Sequence, residues 1–239
     1  MTTISVGGGN ETVTVFGNGT VYAGGGNDSI TITGNGLMSI GGGQDTLSLY
    51  GSGTIYQHGP GGNDTIHFGS GKDTLFEQGT ATVYGAFGSG ATLSGGELKF
   101  LNVGGKLEES ILGGGPATLL GGSQPTKFID AGVGPISMQG GSGNDSFIGG
   151  AASDTMTGGT GSNVFGFLSA DAGGHHVITN FVSGQDQLYV EGHTLAYLNT
   201  HGDITHPGAN TVITLSDGTV VTLDNVSSLK ASDITHTKP

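Results

Sequence analysis

Short runs that alternate polar and apolar residues recur along this chain, each entered through glycine. VGGGNETVT (6–14), AGGGNDSIT (23–31) and IGGGQDTLS (40–48) lie seventeen residues apart and share one order: glycines, an amide, an acid, a hydroxyl, an aliphatic residue. Between them VFGNGTVY (15–22), ITGNGLMS (32–39) and LYGSGTIYQH (49–58) keep a glycine turn but carry no acid. From residue 59 the spacing becomes nine, in twelve consecutive units ending at 166. Their eighth positions are Ile66, Leu75, Tyr84, Leu93, Asn102, Ile111, Leu120, Ile129, Met138, Phe147, Met156 and Phe165, apolar in all but Asn102. A disordered glycine-rich chain has no reason to hold an apolar residue in phase for a hundred residues.

Each unit predicts a tight glycine turn leading into a very short strand. Glycine supplies the positive φ and the close backbone that such a turn needs. Position 8 then faces inward and its neighbours outward, in the strand's period of two. Two units make a coil with strands on opposite walls, and only a stack of coils buries the aliphatic residues. The expected fold is all-β: a parallel β-solenoid of about nine coils at the strand spacing. It divides into N-terminal coils of about seventeen residues (1–58), twelve nonapeptides (59–166) and a β-rich C-terminal cap (167–239). The cap holds a hairpin-like TVITLSDGTVVTL (211–223), with Asp217-Gly218 at its turn.

Composition narrows the function classes. Of 239 residues 51 are glycine, and the net charge is −13. There is no Cys, so disulfides, thiol catalysis and Cys-ligated zinc are excluded. Six lysines and no arginine exclude a nucleic-acid surface, which needs clustered cations. No basic-then-apolar leader opens the chain and no apolar stretch reaches eighteen residues, so neither a Sec-type signal nor membrane insertion is expected. No H-E-x-x-H, G-x-S-x-G or Walker A string is present.

Position 6 carries the chemistry. Glu11, Asp28, Asp45, Asp64, Asp73, Asp145 and Asp154 occupy it, with Asn163 closing the series. Stacked coils would set like carboxylates in a column, which is costly unless a cation lies among them. Carboxylates and turn carbonyls, at Gly24, Gly26, Gly41, Gly43, Gly62, Gly71, Gly141 and Gly143, form an all-oxygen set. Such a set suits Ca²⁺ better than the strict octahedron of Mg²⁺. One side of the stack then reads Glu11, Asp28, Asp45, Asp64, Thr82, Phe100, Thr118, Ile136, Asp154, and the other Asp73, Ala91, Glu109, Lys127, Asp145, Asn163. Calcium is expected near the N-terminus and again over 145–171, with Asp171 as the next ligand, while the middle (77–139) is metal-poor.

GGSGNDSFI (140–148) fits G-G-x-G-x-D-x-U-x, and GPGGNDTIH (59–67) and FGSGKDTLF (68–76) come close. On these motifs the chain resembles the RTX (repeats-in-toxin) proteins. The resemblance implies a Ca²⁺-binding parallel β-roll. VITNFVSGQDQLYVEG (177–192) and the hairpin are similar to the C-terminal regions of proteins exported by type I secretion, which implies that machinery as a partner.

The expected function is a secreted, extracellular or cell-surface, non-enzymatic structural protein. It folds on Ca²⁺ outside the cell and self-associates into a surface layer, fibre or biofilm matrix. The alternative is an adhesin-like module binding cell-surface polysaccharide. The repeats begin by residue 6, and on the expectation that the chain is complete they leave no room for a preceding enzyme domain. His175-His176 is expected to be a surface pair, and Tyr22, Tyr50, Tyr56 and Tyr84 to be packing residues rather than a carbohydrate platform. The Thr12–Thr14 and Thr31–Thr33 pairs are good strand residues and are not taken as an ice-binding array.

Overall fold

The computed structural model describes all residues except 60–61, 86–89, 103–106, 112–115 and 133, and omits the side chains of 90–91, 94–102 and 107–111. The readings at Ala91, Phe100, Asn102, Glu109 and Ile111 concern side chains outside that set. The chain forms two compact units, Met1–Thr118 and Leu119–Pro239. Both are built on parallel β-solenoid coils.

In the first unit, one wall stacks the strands Thr12–Val15, Ser29–Ile32, Thr46–Leu49 and Asn63–Phe68, then the second half of the long strand Lys72–Gly85. The opposite wall stacks Thr2–Ser5, Gly19–Tyr22, Gly36–Ile40, Gly53–Gln57 and the first half of Lys72–Gly85. Alternation puts Val13, Ile30, Leu47, Ile66 and Val83 inside on the first wall, facing Val21, Met38, Ile55 and Leu75 on the second, all buried. Each such side chain contributes about 1.5–3 kcal/mol when fully buried. One coil holds too few of them to stand alone, so stability comes from stacking.

The second wall starts its strands with Gly19, Gly36 and Gly53 for a packing reason. A Cβ there would lie 2.5–2.8 Å from the tips of Val15, Ile32 and Leu49, which fill that space from across the core.

The second unit repeats the plan. Thr126–Asp130, Ser146–Gly149, Val164–Phe167 and Gln187–Val190 form one wall. Ile136–Gln139, Thr155–Thr157, His175–Ile178 and Val220–Leu223 form the other. Phe128, Phe147 and Phe165 stack down the interior at centroid distances of 5.3 and 4.9 Å. The hairpin expected over 211–223 is present: Thr211–Thr214 runs antiparallel to Val220–Leu223, and Gly218 turns at φ 94°. A helix, Leu195–His201, was not foreseen. Thr194 caps its first turn by accepting the Tyr197 N–H, and left-handed Gly202 ends it.

The uniform phase of nine does not hold. Val83, not Tyr84, faces the core, and Leu119 and Phe128 are buried where Leu120 and Ile129 are partly exposed. Ile66 pairs with Val83 and Phe128 with Phe147, so these coils are one residue shorter and one longer than eighteen. A one-residue slip exchanges the two faces of a strand. Ala81 and Thr126 therefore take the places expected for Thr82 and Lys127.

Candidate metal centre

The tightest part of each early coil is its acid-bearing turn. Gly26, Gly43 and Gly62 adopt φ of 134°, 148° and 139°. A Cβ on any of them would fall 1.7 Å from the carbonyl oxygen of Gly9, Gly26 or Gly43 in the coil before. Only glycine permits that approach. Turn backbones also bond between coils: Gly24 N–H donates to the Gly7 carbonyl, Gly26 to Gly42 and Gly41 to Gly24.

The stacked turns set Glu11, Asp28, Asp45 and Asp64 in one column. The Glu11 N–H donates to Asp28 Oδ1 at 3.0 Å, Asp28 to Asp45 at 2.8 Å, and Asp45 to Asp64 at 2.7 Å. One oxygen of each aspartate thus ties its coil to the previous one. The second oxygens differ. Those of Asp45 and Asp64 accept from Gln57 Nε2, at 2.7 and 2.8 Å. Asp28 Oδ2 and Glu11 Oε2 are buried without a hydrogen-bond partner.

Electrostatics agree with that crowding. Burial raises the Glu11 carboxyl above its usual range, and the neighbouring Asp28 carboxylate raises it further. Burial also raises Asp45, against the hydrogen bonds it accepts. Asp73 stands on the other wall, where Gly53 N–H donates to its Oδ1 at 3.0 Å. Its Oδ2 is unpartnered, and burial pushes the group up to about 7.

Glu77 joins this cluster unforeseen. It ends the inward row Asp73, Leu75, Glu77, is buried, and is pushed up to about 7 by burial, with the charges of Asp64 and Asp45 adding. The wall it faces has Ala81 where the acid column would continue.

In the second unit one column reads Thr126, Asp145, Asn163, Asp186. Thr126 N–H donates to Asp145 Oδ1 (2.7 Å), Asp145 to Asn163 Oδ1 (3.0 Å), and Asn163 to Asp186 Oδ1 (2.8 Å). Asp145 Oδ2 is buried and unpartnered, and burial pushes the group up to about 6. Asp171, expected at the next step, lies on a 3-10 turn, Ser169–Asp171, with no buried residue. His176 takes the step after Asp154, and Asp186 the step after Asn163. Its signal was present in GQDQL (184–188), a degenerate Gly-x-Asp-x-Leu. Gly141 and Gly143 line the acid-bearing turn before Asp145, and Gly71 the turn before Asp73, all at positive φ.

Asp154 stands on the opposite wall beside His176. That histidine is 1% exposed, so the surface pair expected at 175–176 is half wrong: only His175 is exposed.

The residues fit a hard cation at the steps with orphaned oxygens. Glu11, Asp28, Asp73 and Asp145 each bring a buried carboxylate oxygen lacking a donor, beside turns rich in carbonyls. An unpaired buried carboxylate is among the costliest groups a fold can hold. Among the described residues no three Asp, Glu or His side chains converge to hold a metal by themselves. Backbone carbonyls would therefore supply the balance of a six- to eight-oxygen shell.

Over residues 13–31, 58–75 and 137–165 the chain matches the HemolysinCabind family, RTX calcium-binding nonapeptide repeat (4 copies). Among solved structures it is similar to the extracellular lipase LipA from Serratia marcescens, at 16% identity and a TM-score of 0.32, over 87% of this chain and 40% of that one. The chain thus spans well under half the length of that protein. No curated protein matches it.

Proposed function

We propose that this chain, which carries RTX calcium-binding nonapeptide repeats over 13–31, 58–75 and 137–165, is a non-enzymatic structural protein whose coils close on Ca²⁺ outside the cell. The observation that carries this reading is the set of buried, unpartnered carboxylate oxygens on Glu11, Asp28, Asp73 and Asp145. At Asp28, Asp73 and Asp145 the labour is divided: Oδ1 accepts a backbone N–H of a neighbouring coil and Oδ2 is left for the metal, whereas Gln57 occupies the second oxygens of Asp45 and Asp64. Bound Ca²⁺ supplies the positive charge that lets these acids ionise together. The glycines bring the turn carbonyls close enough to share in the shell. Metal affinity then becomes folding free energy. Export proceeds unfolded through a type I route, where cytosolic Ca²⁺ is too low to close the coils.

Self-association into a layer, fibre or matrix is the finer part of the proposal. Among the described residues Thr2–Ser5 pairs only with Gly19–Tyr22 and Thr12–Val15 only with Ser29–Ile32. A strand edge with unpaired N–H and C=O groups is a template for another chain. A polysaccharide platform finds less support. Tyr22, Tyr50 and Tyr56 are exposed rather than packed inside, but Tyr56 lies face to face with Phe76 at 4.8 Å and 3°. Those ring faces are spent on each other.

Circular dichroism and light scattering with and without millimolar Ca²⁺ test both parts. A rise in β-signal on Ca²⁺ addition supports metal-coupled folding, and no change overturns it. A Ca²⁺-loaded chain that stays monomeric at high concentration overturns self-association.

A further inference from the structure

Asp154 lies inside a matched repeat, between a glycine-rich turn and a short strand, as a metal ligand would. Its column is different from the others. Register aligns Ser137 with Thr155 and Thr155 with Val177, so the residues stacked at the inward position are Ile136, Asp154 and His176. An aliphatic chain lies on one side of the carboxylate and an imidazole on the other.

Both oxygens of Asp154 are engaged. Oδ1 accepts the Ile136 N–H at 3.0 Å. Oδ2 accepts the Gly150 N–H at 3.3 Å and lies 3.1 Å from His176 Nδ1, though out of line for a hydrogen bond. The ring is fixed at its far side, where Nε2 lies 3.1 Å from the Gly173 carbonyl, and Phe167 packs on it at 5.1 Å. Gly149 lets the ring in: a Cβ there would sit 3.2 Å from Cε1 and Nδ1. Asp130 approaches from the opposite wall, its Oδ1 accepting the Gly132 N–H and its Oδ2 buried beside Gly150 without a hydrogen-bond partner, so the one orphaned oxygen near this step belongs to Asp130 and not to Asp154.

We infer that His176 takes the place of the metal at this step, so that Asp154 is held by backbone N–H groups, faces the imidazole and binds no Ca²⁺. The donor set does not fit the family's cation here. Ca²⁺ takes oxygen ligands, and the atom facing the free side of Asp154 is a ring nitrogen. Where Asp28 and Asp145 keep an unpartnered oxygen, Asp154 keeps none. The inference rests on the reading of the other acids as Ca²⁺ ligands.

Native mass spectrometry of the full chain, loaded with Ca²⁺, counts bound ions in wild type, Asp28→Asn and Asp154→Asn. The expected result is one ion or more lost in D28N and none lost in D154N. A wild type that takes up no Ca²⁺ overturns the reading of the columns and this inference with it. A loaded wild type whose count falls in D154N overturns this inference alone. Should D154N fail to fold, the wild-type protein still decides the matter by ¹⁵N NMR of the His176 ring. Ring signals that stay in place between the first and last bound Ca²⁺ support the assignment, and a shift on saturation overturns it.

Discussion

The N-terminal coils turn at two edges, and the edges meet one requirement with different chemistry. At the Gly-Asn-Gly edge, Asn35 N–H donates to Asn18 Oδ1 and Ser52 N–H to Asn35 Oδ1, both at 2.9 Å, and Lys72 N–H to Ser52 Oγ at 3.0 Å. This ladder is neutral and exposed through its asparagines and Ser52, and a buried carboxylate, Asp73, follows only at its last step. The acid edge has a ladder of the same kind, Asn27 to Asn10 and Gln44 to Asn27, both at 2.9 Å. One residue further on, it adds the buried carboxylate column. Amides suffice to hold coil on coil. On the function proposed above, the carboxylates add dependence on a cation, which makes the acid edge a switch beside a hinge that amides alone can hold.

The largest expected effect is removal of Ca²⁺. Each site held at a hundred times its Kd adds about 2.7 kcal/mol, so chelation should expose the acid-edge amides of residues 8–50 to hydrogen exchange well before the Asn18–Asn35 edge opens. Simultaneous opening of both edges would break the comparison. Next comes Gly43→Ala, whose Cβ would meet the Gly26 carbonyl at 1.7 Å. It should cost at least about 3 kcal/mol in chemical denaturation. Gly17→Ala at the neutral edge, with φ 86° but open space around it, should cost about 1–2 kcal/mol.

pH comes third. Burial raises Asp73 and Glu77 to about 7 and Asp145 to about 6. A carboxyl whose pKa is higher folded than unfolded favours the fold below the ordinary carboxylate range and ceases to as pH rises through the folded value. The metal-free protein should therefore melt highest near pH 4–5 and fall through pH 6–7, and saturating Ca²⁺ should flatten that slope. A metal-free melting point that rises over the same window would contradict the burial of these groups. Asp28→Asn should raise the metal-free melting point and lower the Ca²⁺-loaded one, a change of sign worth roughly 1 kcal/mol each way. The smallest effect belongs to Asn35→Ala, which removes one exposed acceptor and should cost about 0.5–1.5 kcal/mol, equally with and without Ca²⁺.

How much of this was legible depended on what sets each position. The seventeen-residue echo of VGGGNETVT exposed the fold, because a turn that admits only glycine repeats wherever the backbone repeats. The acid column was legible for the same reason. The phase slips were not. Val83 and Phe128 face inward because the lengths of their coils changed by one residue, and turn length leaves no mark in apolar spacing. Glu77 and Gln57 escaped because they enter the acid column from the opposite wall, across a core that sequence order does not show. His176 escaped because a pair of histidines looks like a surface feature until alternation with Ile178 sends one ring inward. Asp186 escaped because the spacing of nine stops at 166 and GQDQL keeps only part of the repeat.

The contact of Gly26 on Gly9, Gly43 on Gly26 and Gly62 on Gly43 has a consequence for how such a chain can change over generations. Each coil meets its neighbour through the same atoms, so a coil copied in frame finds both of its new neighbours already complementary. Duplication or loss of a whole seventeen-residue block leaves every surviving interface intact, whereas gain or loss of a single residue in a strand turns its core outward. The gene can therefore lengthen or shorten this solenoid in quantised steps, and its length is the property freest to drift.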